Sequence, residues 1–294
     1  MSLQIIGAIA ALVSAFSWAL CDVLWRRVGE EISPWSINFG KTLIGSFYLV
    51  IFLCVGGIEA IAFKDFMLLS LSGLVGIALG DTLFFMSLMQ IGPRLSSLMG
   101  SLASVFIVFS AVVFLGERLS LMVWVGIFLT VGGVTWLLWE HSPQANIIRN
   151  KSLGVKYGLL SILCMTIGVL FAKVGVVDVS PIQATFIRLF WGVIGLVLWG
   201  GMKRELKNWI RPFKVHALLK KVSLIAFVGT FGGFWLSLFS LKYVDASIAS
   251  TLNATTPLFI LPLVAIMLRE RISLRAFLGA VIVVGGVALI LRGG

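Results

Sequence analysis

The chain has 294 residues, 60% of them hydrophobic and only 12% charged, with a formal net charge of +11 at pH 7 and a mean hydropathy of +1.09. Soluble domains run near half apolar and about a quarter charged, so this balance excludes a water-soluble globular fold. The excess of positive charge does not mark a nucleic-acid binder, because most Lys and Arg fall in short connections between apolar runs, where they meet anionic headgroups.

Hydrocarbon cannot hydrogen-bond a backbone, so membrane spans are helices or closed barrels. Apolar runs of about 20 residues fit helices, whereas barrel strands would alternate over about 10. The expected fold class is all-α integral membrane with ten transmembrane helices. In chain order they cover approximately 4–25, 34–56, 66–89, 94–115, 120–139, 153–174, 180–202, 222–242, 247–268 and 274–292. Several connections are only a few residues long, so sequential helices pair as antiparallel hairpins. The first run starts almost at Met1 without a basic segment before it, and reads as a span rather than a cleaved signal. With no organelle presequence, a multi-pass protein of a prokaryotic inner membrane is expected. Trp25, Trp35, Trp139, Trp199 and Trp209 lie near span ends, where indole suits the headgroup boundary. Cys21, Cys54 and Cys164 fall inside apolar runs without metal-ligand spacing and read as small core residues.

The two halves repeat. Shifted by 147 positions, Gly7, Ser14, Ser33-Pro34 and Gly45 land on Gly154, Ser161, Ser180-Pro181 and Gly192. From the third span the shift is 153: Gly76, Gly80 and Ser97 meet Gly229, Gly233 and Ser250, and Glu117-Arg118 meets Glu270-Arg271. The longer basic loop before the eighth span absorbs the difference. Residues 1–145 and 146–294 are therefore expected to be two five-helix repeats. An odd number of spans makes the second copy enter from the opposite side, so the repeats are inverted. That geometry places a site near the midplane and supports alternating access.

Two copies of five helices, each with a Gly-Glu-Arg-Leu-like turn between its fourth and fifth spans, resemble the EamA-type drug/metabolite transporters. The turns read Gly116-Glu117-Arg118-Leu119 and Arg269-Glu270-Arg271-Ile272, and Ala246–Ser250, Pro257 and Arg188 also match. The first copy departs from the pattern, with Ser104 where the second has Pro257 and Lys41 where it has Arg188. The resemblance implies a carrier of small organic cargo and termini in the cytoplasm. The distribution of Lys and Arg argues the other way: most follow odd-numbered spans, among them Arg26, Arg27, Arg149 and Lys203–Lys221, which puts that side in the cytoplasm and both termini outside.

Ionisable groups within spans cost a few kcal/mol each and are functional candidates by default. Asp22, Lys41 and Asp81 can share one half of the membrane and are expected to carry proton coupling. The bland readings are an interfacial Asp22 paired with Arg26, a Lys41 snorkelling to the headgroups, and an Asp81 serving only as its structural partner. Arg188, the repeat mate of Lys41, has no equivalent acid, since Val169 and Phe234 stand where the first copy has Asp22 and Asp81. Its guanidinium cannot shed its charge and must find carbonyls, another repeat's carboxylate or a substrate anion. With Arg188, the expected substrate-binding residues are Asn253, Thr256, Trp18, Trp235 and Ser97. Helix packing is the alternative for the serines and core packing for the tryptophans. Pro257 leaves a carbonyl one turn upstream without its amide.

No Walker loop, Rossmann fingerprint or zinc-type His pair occurs, so no cofactor is expected, and His141 and His216 lie in connections. The expected function is secondary active export of small organic metabolites, amino-acid-like or drug-like, by proton-coupled alternating access. The expected partners are the cargo and the lipid bilayer, with no nucleic acid and a monomeric protein. The rivals are an uptake carrier or exchanger of the same fold, and a membrane enzyme acting on lipid-linked substrates, for which the loops are short.

Overall fold

The computed structural model describes residues 3–116, 119–139, 149–268 and 274–293, and every regular element among them is helical. Helix α1 (Leu3–Val28) ends on Arg26 and Arg27, cations suited to the negative end of a helix. Helix α2 (Pro34–Gly56) starts where its sequence says a helix should. The Ser33 hydroxyl accepts the Ser36 N–H at 3.1 Å and Pro34 needs no amide partner. The same Ser-Pro pair opens α7 (Pro181–Met202).

Helix α3 (Phe63–Ser72) runs into a π-helical stretch, Gly73–Asp81, and then into α4 (Thr82–Ser110). Gly92, at φ 78°, breaks α4 just before Pro93, where the helical ladder would fail in any case. Helices α5 (Leu121–Trp139) and α6 (Lys151–Gly175) precede α7. After α7 come a short α8 (Leu206–Ile210) and α9 (His216–Phe227), which passes through a further π stretch, Val228–Trp235, into α10 (Leu236–Tyr243); a short π turn, Ala111–Leu115, also ends α4. Helices α11 (Ala246–Asn253), α12 (Thr256–Leu268) and α13 (Leu274–Gly293) complete the chain.

Among the described residues seven helical segments are long and apolar enough to cross a membrane. They match the expected first, second, third, sixth, seventh, eighth and ninth spans, so the protein is a multi-pass helical membrane protein. The expected fourth, fifth and tenth spans coincide with helical backbone in α4 beyond Pro93, α5 and α13.

Packing depends on small residues and on hydroxyls that reach neighbouring carbonyls, as it must where lipid supplies no hydrophobic drive between helices. Along α1, a side chain at Gly7 would meet Val244, Ser14 Oγ donates to the Gly233 carbonyl at 3.0 Å, and Cys21 donates to that of Ile225 at 3.7 Å. That order makes α1 antiparallel to α9–α10. Helix α6 runs antiparallel to α3–α4 in the same way: Ser72 donates to Gly168 at 2.6 Å, Ser161 to Gly80 at 2.9 Å and Ser87 to Gly154 at 2.9 Å. The Ser14–Gly233 and Ser161–Gly80 bonds join residues that the two sequence shifts superimpose. Each accepting carbonyl sits in a π stretch, where the wider hydrogen-bond step disturbs the regular ladder. Helices α2 and α7 pass antiparallel through Gly45–Leu189 and Thr42–Gly192, and α5 and α13 through Gly133–Val283 and Thr130–Gly286.

The paired glycines of α5 and α13 divide by face. A Cβ on Gly286 would stand 2.7 Å from the Thr130 amide nitrogen, whereas one on Gly285 would meet nothing within 4 Å. Gly286→Ala is expected to lower stability by about 1–3 kcal/mol, the range for overpacking. Gly285→Ala is expected to be neutral or to gain up to about 1 kcal/mol from helix propensity. Thermal midpoints of the two variants in detergent check the contrast; equal effects would refute this α5–α13 contact.

The expected headgroup role of Trp25 is corrected. It is 2% exposed and packs edge-on to Phe85 at 6.0 Å, in a core shared with Leu88 and Val222. Trp209 is buried too, stacked on Trp35 at 5.0 Å, and Trp35 stacks with Trp199 at 6.2 Å. The short α8 folds the loop back under the helix ends and carries Trp209 inward.

Candidate binding cavity

A cavity of about 250 Å³ lies among α1, α2, the π stretches Gly73–Asp81 and Val228–Trp235, α4, α6, α7 and α10–α12. Asp22, Lys41, Asp81 and Arg188 all line it, although they sit far apart in the chain. Trp18, Asn253 and Thr256 line it as well.

The acid of Asp81 and the amine of Lys41 form a buried pair, Nζ to Oδ2 2.6 Å. Lys41 is 6% exposed, so the snorkelling reading is replaced by an inward-facing ammonium. Its Nζ also lies over two aromatic rings, 4.7 Å from the centroid of Phe234 and 5.6 Å from that of Phe85. The local backbone explains why Asp81 faces it. The π stretch leaves carbonyls short of regular partners, and the Asn38 amide, one turn before Lys41 on α2, donates to the Ile77 carbonyl at 2.9 Å and to Thr82 Oγ at 2.8 Å. Thr42 in turn donates to Asn38 at 3.2 Å. These bonds tie the segment on both sides of Asp81 to the helix that carries Lys41.

Asp22 is 7% exposed and is within Coulombic reach of both Asp81 and Lys41. It does not pair with Arg26, whose guanidinium instead donates to the Met89 carbonyl at 3.3 Å. Arg188 brings its guanidinium beside Gly76, where a Cβ would stand 3.6 Å from Nη2. Its backbone packs against Gly73, where any side chain would fall on the Arg188 carbonyl oxygen. Nε of Arg188 is buried with no hydrogen-bond partner, and among the described residues no carboxylate pairs with the group. Asp81 acts on it only through space.

On the opposite wall the ninth expected span is broken between α11 and α12. Pro257 has no amide for the Asn253 carbonyl, and Thr256 Oγ donates to that oxygen at 2.6 Å in its place. Asn253 Nδ2 donates to the Ala249 carbonyl at 3.1 Å, but its Oδ1 is buried without a partner. The break in this helix thus lies at the cavity, which both Asn253 and Thr256 line.

Two expected binding residues stand apart. The side chain of Ser97 lies outside the described residues. Trp235 does not line the cavity: its ring neighbours are Phe231 and Phe239, both with centroids at 6.5 Å, in an aromatic row spaced every fourth residue. Its neighbour Phe234 faces inward instead, edge-on to Trp18 at 4.8 Å. The sequence reading also passed over Phe85 and Asn38. For Asn38 the available signal was the one used for Asn253, an amide inside an apolar run that would be unsatisfied in lipid. Among the described residues no group of three His, Cys, Asp or Glu side chains comes together as a metal set. The cavity offers charge, amides and ring faces.

The EamA-like transporter family matches this chain twice, over residues 5–139 and 152–292. Two Archaeoglobus fulgidus proteins, each described as an uncharacterized transporter, are similar along nearly the whole chain. One is 23% identical over 294 positions, covering 96% of this chain and 96% of the relative. The other is 24% identical over 290 positions, covering 97% and 98%. A protein crystal structure shares the fold, with a TM-score of 0.69 at 16% identity over 99% of this chain and 97% of that one.

Proposed function

The chain belongs to the EamA-like transporter family, and from that premise we propose that it is a secondary active transporter exporting small organic metabolites by alternating access, coupled to protons. The observation that carries this reading is one cavity holding two acids and two cations, in which Arg188 has no carboxylate partner among the described residues. The cargo proposed is amino-acid-like or drug-like. Its carboxylate meets Arg188, and its polar groups meet Asn253 Oδ1 and the Thr256 oxygen. Trp18 walls its apolar body. Asp81 and Asp22 carry the coupling proton, with Lys41 as their neutralising partner.

Ten spans in two inverted repeats, residues 1–145 and 146–294, are part of the proposal. The double family match, the repeated serine-to-π bond and the antiparallel passage of α2 past α7 and α5 past α13 support it. Inversion lets the two halves rock about a site between them, so that the cavity opens to each side in turn. The proposed setting is a prokaryotic inner membrane, with the protein as a monomer.

Purified protein in liposomes tests the reading with radiolabelled phenylalanine as cargo. For one-for-one exchange, a gradient of about one pH unit is worth about 1.4 kcal/mol and accumulates cargo about tenfold. Asp81→Asn is expected to abolish that gradient-driven accumulation. Equal accumulation with and without the gradient would overturn coupling, and absence of flux for a panel of amino acids and amines would overturn the carrier assignment.

A further inference from the structure

We propose that the carboxylate and ring faces around Lys41 form the recognition site for an ammonium group on the cargo, and that Lys41 occupies this site as a tethered substitute until cargo displaces it. This deepens the carrier reading and rests on it. The chain's own ammonium is held by Asp81 Oδ2 at 2.6 Å and lies over Phe234 at 4.7 Å and Phe85 at 5.6 Å. A carboxylate with two aromatic faces is the chemistry that recognises an organic ammonium. All three partners border the open cavity, so the site adjoins space that a cargo can fill.

The second observation is the surplus acid. Asp22 lines the same cavity, is within Coulombic reach of Lys41, and forms no ion pair among the described residues. When a cargo ammonium takes Asp81, the displaced Lys41 finds Asp22. One buried ion pair becomes two, and neither Asp81 nor Lys41 loses its counter-charge, which is the condition under which buried charges are tolerated. The charged groups facing this exchange are Asp22 from α1, Lys41 from α2, Asp81 from the first π stretch and Arg188 from α7. The cargo class that follows is a primary organic ammonium with an apolar or aromatic body. A carboxylate on the same molecule extends to Arg188.

Phenethylammonium is the probe and neutral 2-phenylethanol its control, with binding read by calorimetry on detergent-purified full-length protein. Lys41→Met removes the tethered competitor and is expected to bind the ammonium at least about tenfold tighter than the native protein, a difference of about 1.4 kcal/mol. Asp81→Asn is expected to lose binding, and the alcohol is expected to bind nowhere. Unchanged or weaker binding in Lys41→Met, or binding retained in Asp81→Asn, would overturn the proposal. Lys41→Gln, which also removes the charge but keeps a polar side chain, carries the same expectation of tightening should the methionine variant not fold. The native protein alone also decides: a thermal midpoint raised equally by the alcohol and the ammonium, or by neither, refutes the site. Because binding is read without flux, liposomes that fail to move cargo would sink the carrier reading and leave this result standing.

Discussion

Lys41→Met is expected to destabilise the resting protein by about 3–5 kcal/mol, the cost of leaving one member of a buried ion pair without its partner. The pair is short, at 2.6 Å, and both groups are buried, so solvent does little to screen the stranded carboxylate. Arg188, which acts on Asp81 through space, offsets part of the loss and places the effect toward the lower end. Adding Asp81→Asn should recover most of it, because a buried pair replaced by neutral groups of similar size is often no less stable than the original. The Asn38 bonds to the Ile77 carbonyl and Thr82 do not involve either changed side chain, so the π stretch should keep its place. Denaturation midpoints of the two single variants and the double variant close a double-mutant cycle. Losses that simply add would mean that the two charges do not depend on each other.

Arg188→Met is expected to move stability and binding in opposite directions. Nε of Arg188 is buried without an acceptor, and a buried donor left unsatisfied costs about 1–3 kcal/mol. Methionine, of similar length and flexible, should return that amount to the empty protein and raise its thermal midpoint. The same change removes the cation in the cavity that, among the described residues, has no carboxylate partner. Losing one side of a buried charge pair costs about 2–5 kcal/mol, so binding of carboxylate-bearing cargo should fall by a factor of about 30 or more. Arg188→Lys should recover only part of it, because an ammonium cannot present the planar fork. Thermal shift with and without phenylalanine reads both effects on one sample. A fall in the midpoint of the empty protein would show that Arg188 is a structural bridge and remove it from the cargo site.

Local regularities made the helices legible in the chain. Ser33 caps α2 through the Ser36 N–H, Pro34 and Pro181 stand at the first turns of α2 and α7, and the apolar runs fall where the long helices lie. Hydropathy and caps act over a few residues, which is why they can be read without neighbours. The orientation of side chains around each helix was less accessible. The π stretches at Gly73–Asp81 and Val228–Trp235 lengthen the hydrogen-bond step, so a count made at the ordinary helical period drifts past them. Phe234 thereby faces the cavity while Trp235 joins the outward aromatic row. Trp25 was misplaced for a different reason: its position near a span end was correct, but a helix end can be covered, and here Phe85 and the α9 core cover it.

What the sequence determined by itself was a membrane-embedded helical chain in two matching halves with a few costly charges inside the spans. Those follow from hydropathy, capping and internal similarity, each a property of neighbouring or aligned residues. Only the tertiary structure decided that Asp22, Lys41, Asp81 and Arg188 share one cavity, that Lys41 takes Asp81 rather than Asp22, and that Arg188 is left over. Partner choice among buried charges is set by distances of a few ångströms between helices remote in sequence, and those distances exist only once glycine and serine contacts have fixed how closely the helices approach.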